Sequence, residues 1–216
     1  MNRRCACLNV LFFAATVLGQ ASVHADPIGI LDQEIPALNF SHAFFGNVEH
    51  AQTFEVGISG QLAAVEIYLS NPFQDMPDQI TVSIRSVNSS GFPSLLPTDN
   101  LAVATMPILS VPTSVGFVRV DFPSPLPGAN IGDQLAVIMR ANGPTGNLNW
   151  QGMFRDVYPR GSFYSRFYET DGAWISSVAD FSMRTYVIPV PEPSSQILLG
   201  CMSVMFAILT FARVRE

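Results

Sequence analysis

The side chains able to do acid–base or metal chemistry are few. The histidines are His24, His42 and His50, the last two eight positions apart with Glu49 beside the second. A zinc site needs a third ligand and a tighter arrangement, so His42 and His50 read as loop or surface residues. The chain carries no His-Glu-x-x-His pair, no Gly-x-Ser-x-Gly elbow and no phosphate loop. Those patterns place two imidazoles on one helix face, expose a serine on a strained turn, or cradle phosphate on backbone N–H groups. The cysteines are Cys5, Cys7 and Cys201, all outside 26–187. A thiol nucleophile and disulfide staples are therefore excluded from that region.

Carboxylates are more plentiful. A glycosidase needs only a pair of them. Asp75, Asp78, Asp99, Asp121, Asp133, Asp156, Asp171 and Asp180 mostly stand at turn signals, where Asp stabilises the backbone by local hydrogen bonds. Asp75 with Asp78, or Asp171 with Asp180, has the oxygen chemistry for a structural Ca²⁺ in a loop. No other cofactor is expected. The densest feature is aromatic: Trp150, Phe154, Tyr158, Phe163, Tyr164, Phe167, Tyr168 and Trp174, interleaved with Arg155, Arg160 and Arg166. Flat rings beside hydrogen-bond donors grip sugar rings. Trp150, Tyr158, Tyr164 and Trp174 are the expected ligand face on that reading. Against it, aromatic residues are ordinary strand and core residues.

What must position these residues is a set of β-strands. Apolar residues alternate with period two in Thr53–Ile58, Ala63–Leu69, Ile80–Arg85, Val118–Phe122 and Phe181–Val187, the pattern of half-buried strands. Leu135–Met139 is apolar throughout, as in a strand covered on both faces. Turn signals separate the runs: Gly57–Gly60, Asn71-Pro72, Asn88–Gly91, Pro123-Ser124-Pro125, Asn130–Asp133, Asn142-Gly143-Pro144 and Asp171-Gly172. The expectation is an all-β fold, a single jelly-roll-like β-sandwich of about nine strands spanning 26–187.

The formal net charge is −6, and every basic residue is arginine. Between Asp26 and Val190, 7 Arg against 15 Asp and Glu give 7 − 15 = −8. An acidic surface repels phosphate backbones, so nucleic acid is not an expected partner.

The two ends differ from the middle. Arg3 and Arg4 precede an apolar Leu8–Leu18, and Val23-His24-Ala25 follows. This reads as a signal peptide over 1–25, cut after Ala25 by signal peptidase. Residues 188–216 hold Pro191-Glu192-Pro193, an uncharged run over 197–212, and Arg213 and Arg215. The run is 16 residues, about 24 Å as a helix. It reads as a short transmembrane helix with its arginines on the cytoplasmic side. The prolines hold the preceding chain extended, as a processing enzyme requires.

The triplet, the short span and the arginines together resemble the PEP-CTERM sorting domain. The runs Ala51-Gln52-Thr53-Phe54, Gly60-Gln61-Leu62 and Phe181–Tyr186 are similar to the globular part of other exported PEP-CTERM proteins. The resemblance implies recognition by exosortase at Pro191, Glu192 and Pro193, a Gram-negative host that makes exopolysaccharide, and no activity. It implies an inner-membrane-anchored precursor that reaches the cell envelope or the extracellular (biofilm) matrix. The expected function is a non-enzymatic exported protein. The alternatives are a carbohydrate-binding module of that matrix, with exopolysaccharide as partner, and a carboxylate-dependent polysaccharide hydrolase.

Overall fold

The computed structural model describes residues 29–37, 40–43, 48–72, 79–142, 148–167 and 172–189. In chain order its strands begin with β1 (Ile30–Ile35), β2 (Phe40–Ala43), β3 (Val48–Glu55), β4 (Gly60–Ser70) and β5 (Gln79–Ser86). Next come β6 (Asn100–Pro107), β7 (Gly116–Ala129), β8 (Gln134–Asn142) and β9 (Asn149–Met153). The last are β10 (Phe163–Phe167), β11 (Ile175–Ser177), β12 (Asp180–Phe181) and β13 (Met183–Pro189). Two 3₁₀ turns flank β6, and no α-helix occurs among the described residues. The fold is therefore all-β, as the period-two pattern predicts.

The strands form two antiparallel sheets. The six-stranded sheet runs β11-β10-β3-β8-β5-β6. The seven-stranded sheet runs β1-β13-β4-β9-β12, with β7 on β4 and β2 on β9. One core draws on both sheets. Val65, Ile67 and Leu69 of β4, Trp150 and Met183 join Phe54, Ile80, Val82, Ile84, Val137 and Met139 from the other sheet. Each fully buried aliphatic or aromatic side chain contributes about 1.5–3 kcal/mol, so this shared interior holds the two sheets together.

Alternation decides which residues face it. In β6, Ala102, Ala104 and Met106 point inward while Leu101, Val103 and Thr105 are exposed. β8 is the exception anticipated from its sequence. Leu135, Val137 and Met139 enter the main core, while Ala136 and Ile138 enter a second cluster with Ala51, Tyr164 and Trp174 on the opposite face. The six-stranded sheet is therefore covered on both sides at this point.

Thirteen strands are described where about nine were expected. β2, β11 and β12 have 4, 3 and 2 residues, too few for alternation to show. Pro123-Ser124-Pro125, read as a turn, lies within the 14-residue β7. Among the described strands β7 pairs with β4 alone, and an edge strand tolerates proline because its outer N–H has no ladder partner. The register there slips from Ala64↔Asp121 to Leu62↔Leu126, a bulge that absorbs the prolines.

The first and last strands pair with each other, with Ile30 opposite Val187 and Ile35 opposite Met183. This pairing brings the two ends of the described strands side by side. The leader over 1–25 with Ala25, the Pro191-Glu192-Pro193 triplet, the run over 197–212, Arg213 and Arg215 lie outside the described residues.

Candidate functional site

The four rings expected to form one ligand face do not share a surface. Trp150 is fully buried between the sheets. Its indole Nε1–H donates to the Ser182 carbonyl at 3.0 Å, and its ring meets Phe181 edge-on at 5.5 Å. Tyr158 is buried in the same core and donates its hydroxyl to Gln33 Oε1 at 2.8 Å. Burial raises its phenol pKa, more than the Glu55 N–H and nearby Arg160 lower it. These two rings are core residues, which corrects the expectation for them. Tyr164 and Trp174 lie instead on the outer face of the six-stranded sheet, where Tyr164 tilts against Phe92 at 5.4 Å.

His50 is also buried, not exposed. It points inward from β3 and stacks on Phe163 at 5.5 Å. His42 lies on β2, opposite Trp150 in the ladder. Among the described residues no three His, Cys, Asp or Glu side chains come together as a metal would need.

The outer face of the six-stranded sheet carries a group that the sequence reading did not single out. Glu49 of β3 faces Arg166 of β10 directly across the ladder. Arg166 donates from Nε at 2.7 Å and lies at 2.6 Å through Nη2, both to Glu49 Oε2. Arg85 of β5 reaches the same carboxylate from the other side, at 3.2 Å to Oε1 and 3.4 Å to Oε2. All three side chains are buried. Burial lowers the Arg85 pKa, and Glu49 opposes that shift. One sequence signal existed. A both-faces-apolar β8 requires a covered outer face, so charged residues on its neighbours' outer positions must be buried and paired.

The cover is the segment 87–99. Arg85 donates to the Ser94 carbonyl at 3.2 Å and to Asn100 Oδ1 at 2.7 Å, and Arg166 donates to the Leu95 carbonyl at 2.7 Å. Asn88 Oδ1 accepts the N–H groups of Ser90 and Phe92 at 2.9 and 3.1 Å. Gly91 completes this turn at φ 86°, a conformation that disfavours a side chain. The same arginines that neutralise Glu49 thus pin the segment to the sheet.

Two grooves flank it and meet at Asn88. One, about 520 Å³, lies among Ser86, Phe92, Leu95, Leu96 and Trp174. The other, about 590 Å³, is lined by Thr53, Glu55, Gln134, Arg160, Ser162 and Tyr164. Trp174 is buried, with Arg166 over its ring at 4.9 Å. Its Nε1–H has no acceptor among the described residues. The volumes are of the size that holds small ligands.

The carboxylates are committed elsewhere. Asp180 is buried and accepts the N–H groups of Val157 and Tyr158 at 2.7 and 2.8 Å and Gln52 Nε2 at 3.0 Å. Three donors already aim at its two oxygens. Asp171, Asp75 and Asp78 lie outside the described residues. Asp32 accepts the Gly57 N–H at 2.9 Å and ties β1 to the turn after β3. Burial raises the carboxyl pKa of both Asp32 and Asp180, against their hydrogen-bond donors.

The outer face of the seven-stranded sheet carries a row in register: Glu34, Arg184, Glu66 and Arg119 on β1, β13, β4 and β7. Arg184 holds Glu34 at 2.8 Å and Glu66 at 3.3 Å, and Tyr186 donates to Glu66 at 2.7 Å. Arg184 covers the Phe117 ring at 3.9 Å and Arg119 the Tyr186 ring at 4.6 Å. These groups satisfy one another, and cross-strand pairs of this kind stabilise a sheet.

No protein-family model matches this chain, and no curated protein matches it.

Proposed function

We propose that the chain is a non-enzymatic exported protein sorted by exosortase to the cell envelope or extracellular polysaccharide matrix. In this reading residues 1–25 are a signal peptide removed by signal peptidase after Ala25. Residues 26–187 form a jelly-roll-like sandwich. Residues 188–216 are the sorting segment, with Pro191-Glu192-Pro193 as the recognised motif. The helix over 197–212 anchors the precursor in the inner membrane, with Arg213 and Arg215 at the cytoplasmic side.

The observation that carries this reading is the order of features in the tail sequence: a Pro-Glu-Pro triplet, a short uncharged span, then arginines. The fold adds support. Ile30 pairs with Val187, so the first and last described strands lie side by side. The non-enzymatic part is supported by the buried carboxylates Glu49 and Asp180 and the half-buried Asp32, each engaged by donors that hold the fold. Replacing Pro191, Glu192 and Pro193 together by Ala tests the motif. The proposal expects full-length precursor to accumulate in the membrane fraction. Release of this variant at the wild-type rate would remove the motif's assigned role.

A further inference from the structure

We propose that the free edge of β6 pairs antiparallel with β6 of a second copy of this chain, joining two six-stranded sheets into one. The self-association does not depend on how the chain is sorted.

The first support is a comparison of edges. Among the described strands, β1, β2, β6, β7, β11 and β12 each have a single ladder partner. Such edges present unpaired N–H and C=O groups, and proteins blunt them by shortness, charge, proline or a bulge. β2, β11 and β12 are 4, 3 and 2 residues long. β1 carries Asp32 and Glu34 and a register shift between Leu31 and Gln33. β7 carries Arg119, Asp121, Pro123, Pro125 and Pro127. β6 is different. It has 8 residues, no charge, and proline only at its last position. Its ladder with β5 runs in regular register from Ile84↔Ala102 to Gln79↔Pro107.

The second support is what this edge exposes. Leu101 and Val103 point outward at 42% and 41% exposure. Leu96, Leu109 and Val115, which flank β6 in the chain, are exposed as well. The alternate positions Ala102, Ala104 and Met106 belong to the core. A strand laid along β6 extends the ladder and covers the outward apolar side chains at the same time.

Charge and symmetry choose the occupant. The chain carries a net charge of −6, so two copies repel each other in most approaches. From Asn100 to Val118 no residue is charged, which makes this edge the place of least repulsion. The charges around it are already engaged. Asp99 accepts the Ser94 hydroxyl, Arg85 opposite Asn100 is buried against Glu49, and Arg119 and Asp121 of the neighbouring β7 pair at 2.9 Å. Two identical antiparallel strands are related by a two-fold axis, so each residue meets its complement on the other copy. With the axis at Val103, that residue faces Val103 of the second copy, Leu101 faces Thr105, and Asp99 faces Pro107. No like charges are then opposed across the joint. One strand pair is a small interface, which puts the dimer in the weak, reversible class.

The test uses the full chain in detergent with Cys5, Cys7 and Cys201 replaced by Ser and one cysteine placed at Leu101, Val103 or Thr105 in turn. Directly opposed residues have Cα atoms about 4.5–5.5 Å apart, within reach of a disulfide. Mild oxidation should link Val103→Cys into a dimer at least about fivefold faster than Leu101→Cys or Thr105→Cys, whose own counterparts lie about 13 Å away along the joint. Val103→Lys changes an exposed side chain and should leave the unfolding midpoint near wild type. It should weaken the dimer measured by sedimentation about three- to tenfold, because two lysines then face each other. No disulfide dimer at any position, or equal rates at all three, overturns the proposal. A fastest link at Leu101 or Thr105 overturns the Val103 register. A dimer that Val103→Lys leaves unchanged is formed through another part of the chain, and overturns the edge pairing.

Discussion

Arg166 lies directly across the β3–β10 ladder from Glu49 and binds its carboxylate through Nε at 2.7 Å. Both side chains are buried on a sheet face that in most antiparallel sheets would be wet. This pair, with Arg85, fastens the 87–99 segment that walls the grooves.

Glu49→Gln should therefore destabilise the protein strongly. It leaves two buried guanidiniums without their counter-charge, which typically costs about 3–5 kcal/mol. Replacing Glu49, Arg85 and Arg166 together by Met should cost less than Glu49→Gln alone, because no charge then remains buried unpaired. Urea unfolding of the three proteins checks this ordering. A triple variant less stable than Glu49→Gln would contradict it.

The two tryptophans should behave differently. Trp150→Ala opens a cavity in the main core and breaks the bond to Ser182, and should cost about 3–5 kcal/mol. Trp174→Phe removes an N–H that has no acceptor among the described residues but also shrinks a buried ring beneath Arg166, so it should lower the unfolding midpoint less than Trp150→Ala does. A larger loss for Trp174→Phe than for Trp150→Ala would place the core in the wrong cluster.

Asp180 should be a fold-determining acid. Asp180→Asn presents an amide where Gln52 Nε2 now finds an oxygen at 3.0 Å, and should cost about 1–3 kcal/mol. Its pH dependence has a defined sign. Burial raises the folded pKa above the ordinary 3.8, so the folded state binds the proton more tightly than the unfolded one. The resulting stabilisation is complete below about pH 3.8 and fades as pH rises through the raised value. The wild-type advantage over Asp180→Asn should thus be larger at pH 3.5 than at pH 7. An advantage that grows with pH would show that the three N–H donors outweigh burial.

How much of this was legible in the sequence depends on what each residue's neighbours reveal. β13 declares itself, because Met183, Thr185 and Val187 are buried while Arg184 and Tyr186 are only partly so. β8 does too, and its unbroken apolar run even foretells the second cluster. β7 does not, since its prolines mimic a turn unless the strand is known to be an edge. The ring assignment failed for a related reason. Trp150 and Trp174 look alike in the sequence, and only register and sheet position send one into the core and the other to the outer face. Glu49 drew notice for its neighbour His50, yet its partners Arg85 and Arg166 lie 36 and 117 residues away. Spacing along the chain cannot show a pairing that only the sheet order creates.

The most direct test of the sorting account is the intact mass of the protein recovered from its host with and without exosortase. The account predicts that wild-type product lacks residues up to Ala25 and the tail beyond the Pro191-Glu192-Pro193 region, and that the tail stays on only in the strain without exosortase. A tail retained in both strains would contradict it, and would leave a membrane-anchored β-domain with no route to the matrix.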